Sequence, residues 1–118
     1  MTEELPRLEG VVGEQLNAVM FVMDYVQFHF NGPALTALNH LIVEFHGART
    51  RFPAPGSRDA LRSLIEQKVK SVEQREGVHI KLKFQSGHTL LIPLDSGSYI
   101  GPEAATFSDP AKRGLLVW

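Results

Sequence analysis

Between Val78 and Phe84 apolar and polar residues alternate without a break, with Val78, Ile80, Leu82 and Phe84 on one side and His79, Lys81 and Lys83 on the other. A period of two is that of a β-strand with one buried face and one wet face. Upstream the period lengthens: Ala60, Leu61, Leu64 and Ile65 recur at helical spacing. Ser57 stands where an N-cap is needed and Asp59 suits the positive end of the helix, so a helix is predicted over 58–66.

The same order of elements is legible earlier in the chain. Leu64, Ile65, Val69 and Val72 fall on Val11, Val12, Leu16 and Val19 at a constant spacing of 53 residues, and Leu61 falls on Leu8. Ile80, Leu82 and Phe84 then fall on Val26, Phe28 and Phe30 at a spacing of 54, and both runs enter a glycine turn, Asn31-Gly32 and Ser86-Gly87. Beyond the turns Leu90 and Ile92 answer Leu35 and Ala37. A residue gained between elements is what a surface loop tolerates. In the first copy Pro6 suits the first helical position, with Leu8, Val11 and Val12 turned to the core. Strands are predicted over 15–23, 25–31, 34–37 and 41–45, the last with Leu41, Val43 and Phe45 inward. Gly32-Pro33 ends the second of these, since proline cannot donate to a sheet ladder.

Two halves result, 6–46 and 57–107. They are joined by GARTRFPAPG at 47–56, whose prolines, glycines and arginines mark an exposed linker. After the turn-rich DSGSYIGP, segments over 104–107 and 115–118 are predicted to form a terminal hairpin. Each half has an open sheet edge and half a core, and buries most by packing on the other about an approximate two-fold axis. The expected fold is β-dominated α+β, with two tandem pseudo-symmetric helix–antiparallel-strand units in a single domain spanning 1–118. A chain of 118 residues encloses one core without metal or disulfide support.

Composition narrows the partners more than the fold. At 43% hydrophobic and 21% charged residues the chain reads as an ordinary globular protein. A net charge of -1 provides no global field toward nucleic acid or a membrane, so neither is an expected partner. The absence of cysteine removes disulfides, thiol nucleophiles and thiolate metal sites. The start MTEELPRLEG lacks the basic and apolar regions of a secretory signal, and no run approaches the ~20 apolar residues of a membrane helix. A soluble cytoplasmic protein is expected.

In DYVQFHFNGP (24–33), GSRDALRSLI (56–65) and GPEAATF (101–107), with the terminal Trp118, the chain resembles a group of small uncharacterised bacterial proteins. The paired strand-rich pattern also looks like that of short bacterial domains of unknown function, some of which sit near immunity-protein genes. The resemblance implies a bacterial setting and carries over no active-site residue.

Candidate chemistry is sparse. His40, Glu44 and His46 read like a ligand set, but on a strand His40 and Glu44 lie ~13 Å apart, too far for one zinc ion with ligands at ~2.0–2.2 Å. No metal site and no cofactor is expected. His29 could neighbour His40 or Glu44 across a sheet if their strands pair. Ser86 and Ser96 lie in QSGH and DSGS, without the strand–nucleophile–helix elbow of a hydrolase. Asp24 and Glu103 are the nearest candidates for paired carboxylates, although backbone hydrogen bonding in turns explains both. Gly56-Ser57 with Arg58 is a faint anion cradle. Lys68, Lys70, Lys81 and Lys83 could form one basic stripe, but without the interleaved aromatics that stack on single strands a solvated sheet face is the better reading.

No catalytic residue is assigned. The function these features favour is a non-enzymatic binding or interaction module of a bacterial cell, acting through an exposed sheet face or edge on a protein partner. Edge strands also favour a homodimer. The alternative is a small enzyme or small-molecule binder with a pocket between the halves, drawing on Tyr99, Glu103, Asp24 and His29.

Overall fold

The computed structural model describes residues 5–118, so the acidic start at 1–4 lies outside the described residues. Ten strands dominate it: β1 (Ala18–Val22), β2 (Tyr25–His29), β3 (Ala34–Ala37), β4 (Ile42–Phe45), β5 (Ala48–Arg51), β6 (Val69–Arg75), β7 (His79–Phe84), β8 (Thr89–Pro93), β9 (Ala105–Ser108) and β10 (Leu116–Val117). One short helix, α1 (Ser57–Arg62), lies between β5 and β6, and single 3₁₀ turns occupy Leu8–Val11 and Ser96–Ser98. The strands form two antiparallel five-stranded sheets, in the order β1-β2-β3-β9-β10 and β5-β4-β8-β7-β6. The architecture is thus β-dominated α+β.

Alternation decides which side of each strand is buried. In the first sheet Val19, Phe28, Leu35, Phe107 and Leu116 are successive cross-strand partners and lie on the core side. The second sheet has the corresponding row Val72, Leu82, Leu90 and Val43, ending at Thr50 on β5. Apart from Thr50, the two rows belong to or pack against one continuous buried cluster, in which Phe28, Phe84 and Phe107 are among the largest fully buried side chains. Truncating such a phenylalanine to alanine costs about 3–5 kcal/mol, a large share of the ~5–15 kcal/mol that holds a domain together.

The strand orders carry a regularity that the linear chain hides. Raising β1, β2 and β3 by five gives β6, β7 and β8, and lowering β9 and β10 by five gives β4 and β5, so one order converts into the other. Backbone hydrogen bonds follow suit. The Gly13 N–H donates to Val69 O at 2.8 Å and the Glu66 N–H to Leu16 O at 2.8 Å. Leu16 N–H donates to Gln67 O at 2.9 Å and Val69 N–H to Glu14 O at 3.0 Å. At the centre of these bonds lies an isolated bridge between Gln15 and Lys68. Donor and acceptor exchange roles under the 53-residue shift read from the apolar pattern.

Several boundaries depart from the sequence reading. The predicted first helix is only a 3₁₀ turn, and Val12 is exposed while Leu8 and Val11 are buried. The helix predicted over 58–66 ends at Arg62, and its cap is Gly56 at φ 84; Ser57 is instead buried with its hydroxyl unpaired. Val78 precedes β7 and is 46% exposed, so only Ile80, Leu82 and Phe84 face inward. The stretch 47–56 contains β5, and Phe52 after it is 1% exposed. The halves 6–46 and 57–107 are not separate packets, because β4 pairs with β8 and β9 with β3. The 104–107 and 115–118 segments do pair, as β9 and β10.

Candidate functional site

The outer faces of the two sheets differ in chemistry although their topologies correspond. None of the five strands of the first sheet contains Asp, Glu, Lys or Arg. Its outer central row is Met20, Gln27, Thr36, Thr106 and Val117. The second sheet turns Arg49 and Arg51 outward on β5, Lys81 and Lys83 on β7, and Arg75 on β6. On these strands only Glu44 and Glu73 oppose the five cations, and Asp95, in the connection after β8, stands at the edge of the face.

The two carboxylates are already engaged. Glu44 forms an ion pair with Arg49, and His79 Nε2–H donates to Glu73 Oε2 at 2.6 Å. The hydrogen bond from His79 acts most strongly in holding the Glu73 carboxyl below its ordinary value of 4.5, with the charges of Lys81, His79 and Arg75 adding to it and desolvation opposing it. Among the described residues no ion pair involves Arg51, Arg75, Lys81 or Lys83. The face therefore has an uncompensated positive charge within a chain whose net charge is -1. Such exposed charges act over a Debye length of ~8 Å at physiological salt.

An apolar seam crosses this basic field. Arg51, Ile42, Leu91, Lys81 and Glu73 form one cross-strand row, in which Leu91 points outward yet is only 8% exposed. Ile42, Leu91, Pro93 and Val78 line an open groove of about 260 Å³, with Arg51 and His79 also on its wall. Asp95 and Ser98 close one rim, the Ser98 hydroxyl donating to Asp95 Oδ1 at 2.8 Å.

The connection that supplies this rim is long. Eleven residues (94–104) join β8 to β9, whereas four (38–41) join β3 to β4. The same connection contributes Leu94 and Tyr99 to a second cleft of about 590 Å³, shared with Gln74, Glu76, Val117 and Trp118. That cleft lies where β6 and β10 approach, and there Trp118 Nε1–H donates to Gln74 Oε1 at 2.9 Å. At the corresponding place between β1 and β5, Phe21 stacks on Phe52 with centroids 6.1 Å apart. Arg58 and Arg62 of α1 lie over that pair, 5.2 Å from the Phe52 centroid and 5.3 Å from the Phe21 centroid respectively. One seam is filled by side chains and the other retains a cleft.

The residues singled out in sequence scatter over these features. His29 is on β2 in the first sheet, 3.3 Å from Gln27 Oε1, and Glu44 is on β4 in the second. The strands of His29 and Glu44 do not pair, so the cluster His29, His40 and Glu44 does not form; His40 precedes β4 and is half-buried. Asp24 and Glu103 do share a hollow, of about 210 Å³ with Tyr25 and Leu38, but both are exposed. Among the described residues no group of three or more His, Cys, Asp or Glu is placed to hold a metal. Of the basic stripe, Lys81 and Lys83 share the outer face of β7, Lys70 falls at the register irregularity of β6, and Lys68 sits at the bridge to Gln15. The sequence reading takes Arg49 and Arg51 only as part of an exposed linker, and Arg75 not at all. The R-T-R alternation of Arg49–Arg51 is the signal that reveals two of them.

Compared with protein-family models, with curated proteins and with solved structures, the chain gives no match. Among the described residues no helix is long and apolar enough to cross a membrane.

Proposed function

We propose that the protein is a non-enzymatic interaction module, built from a duplicated strand-rich unit, that engages a protein partner through the outer face of its second sheet. The observation that carries the reading is the contrast between corresponding faces, one without charge and the other with five cations against two carboxylates. A charge distribution that the scaffold needed would recur on both faces; one present on a single face points to use. Duplication is supported by the interconverting strand orders and by hydrogen bonds that exchange donor and acceptor around Gln15 and Lys68. A bacterial setting rests on the resemblance of the three quoted segments, and a cytoplasmic location is compatible with a chain without cysteine.

Cross-linked pull-down from the protein's own cell, with the wild type and an Arg51→Glu/Lys83→Glu variant side by side, tests this reading. Both substituted residues are exposed, so the variant keeps the fold. The expected result is a partner recovered by the wild type and lost from the variant. Identical recovery by both, or recovery of nothing, counts against it. A second copy of the chain is included among the protein partners, because no charge on the outer face of the first sheet opposes face-to-face packing. A monomer mass by light scattering at every concentration removes that part.

A second reading, a small-molecule binder, is favoured by the cleft of about 590 Å³ between β6 and β10. Trp118 is the single tryptophan of the chain and lines this cleft, so its fluorescence reports occupancy directly. A fragment panel that leaves the emission of Trp118 unmoved removes this alternative.

A further inference from the structure

We infer that the basic face receives an extended acidic protein segment, which seats an apolar side chain in the groove formed by Ile42, Leu91, Pro93 and Val78. This rests on the reading of the second sheet as the interaction face and adds the class of its partner. Charge complementarity is the first argument: Arg51, Arg75, Lys81 and Lys83 project from one face, and none of them has an ion pair among the described residues. The second is the seam itself. Ile42 and Leu91 are direct cross-strand partners at the middle of the sheet, with cations on both sides in the same row, Arg51 next to Ile42 and Lys81 next to Leu91.

Those features together discriminate between anionic partners. A nucleic acid offers phosphates to the cations but has no aliphatic group for the groove, and its bases gain most by stacking on aromatic side chains. The outer face of the second sheet presents no aromatic residue from β4, β5, β7 or β8 other than the His79 ring, which is bound to Glu73. Phe45, at the end of β4, is covered by His88 with ring centroids 3.9 Å apart. An extended peptide instead turns every second side chain to one face, so carboxylates two residues before and two residues after an aliphatic side chain can meet Arg51 and Lys81 while that side chain enters the groove between them. A groove of about 260 Å³ is ample for one leucine side chain.

Fluorescence anisotropy of the full chain against short fluorescein-labelled peptides tests this. One probe contains glutamate and aspartate around a central leucine, and the other has serine in that place; short duplex DNA and heparin serve as competing anions. The leucine probe should bind at least about tenfold more tightly than the serine probe, the increment expected for burying one aliphatic side chain. Val78→Ser, at a position 46% exposed, should narrow that ratio without unfolding the protein. Arg51→Glu/Lys83→Glu should weaken both probes at least about tenfold and steepen neither salt dependence. Equal affinity for the two peptides overturns the inference. So does DNA or heparin binding that the charge variant abolishes while the peptides bind no better, although that result preserves the interaction face. If the wild type binds none of these anions, the inference and the reading of the face both fall.

Discussion

Glu66 holds a backbone conformation that belongs to glycine, with φ 79, while Gly13, at the corresponding place in the first half, has φ 85. Both donate the N–H that ties the halves together at the Gln15–Lys68 bridge, so neither can relax without losing that hydrogen bond. A left-handed backbone costs a non-glycine residue roughly 1–2 kcal/mol, partly offset by the lower entropy of its unfolded state. Glu66→Gly should therefore stabilise the fold by up to about 1 kcal/mol, and Gly13→Ala should destabilise it by about 1 kcal/mol, both read from urea midpoints at constant slope. A Cβ at Gly13 meets nothing within 4 Å, so the second effect would be conformational and not a clash. His88 gives a pH signature. Burial first, and the charge of His46 second, push its pKa below 6.5. The unfolded chain then takes up the proton before the folded one, so stability falls as pH drops below that value and levels off beneath the folded pKa. His88→Gln should flatten the melting temperature between about pH 7 and pH 5, whereas an unchanged slope would show that His88 does not set it.

With the chain divided after residue 56, two strands from each part (β4 and β5, β9 and β10) complete the sheet of the other, and this exchange decides how the elements behave alone. Without β8, β4 and β5 have no sheet to join; without β3, neither do β9 and β10. Neither 1–56 nor 57–118 should fold as a monomer, and mixing the two should restore one set of dispersed amide resonances. A folded monomeric half would contradict the pairing described. Much of this level was legible: the alternation placed 34–37 at the bounds of β3, and the 53-residue spacing matched positions that the structure puts on equivalent rows, such as Val19 and Val72. The exchange was not legible, because a period of two says which face a residue takes and nothing about which strand lies beside it. It follows that His29 and Glu44, each correctly placed on an outer face, were wrongly considered for one cluster. β5 was missed because its Arg-rich sequence with nearby prolines has the composition of a loop; an edge strand with charged residues is built that way to discourage edge pairing. Val12 and Val78 lie just outside their elements, where periodicity no longer applies.

At the scale of the molecule, one pair of corresponding sheets encloses a single core and presents two unlike surfaces. The first is free of charge across all five strands, and the second gathers cations around an apolar seam. The long connection from β8 to β9 adds a further asymmetry, since its residues reach the groove, the Trp118 cleft and the hollow with Asp24. Surface chemistry and architecture are thus separable, with inward rows maintaining the fold while outward rows are free to differ. The basic face also went half-read in sequence: its lysines were visible as an alternation, but its arginines stand on strands that only the sheet order brings beside them. Amide chemical-shift mapping during titration with the leucine-centred acidic peptide tests the central claim most directly. The account predicts perturbations concentrated at Ile42, Arg51, His79 and Leu91, with the amides of β1, β2 and β3 unmoved. Perturbations gathered instead around Gln74, Tyr99 and Trp118 would contradict it and assign binding to the cleft between β6 and β10.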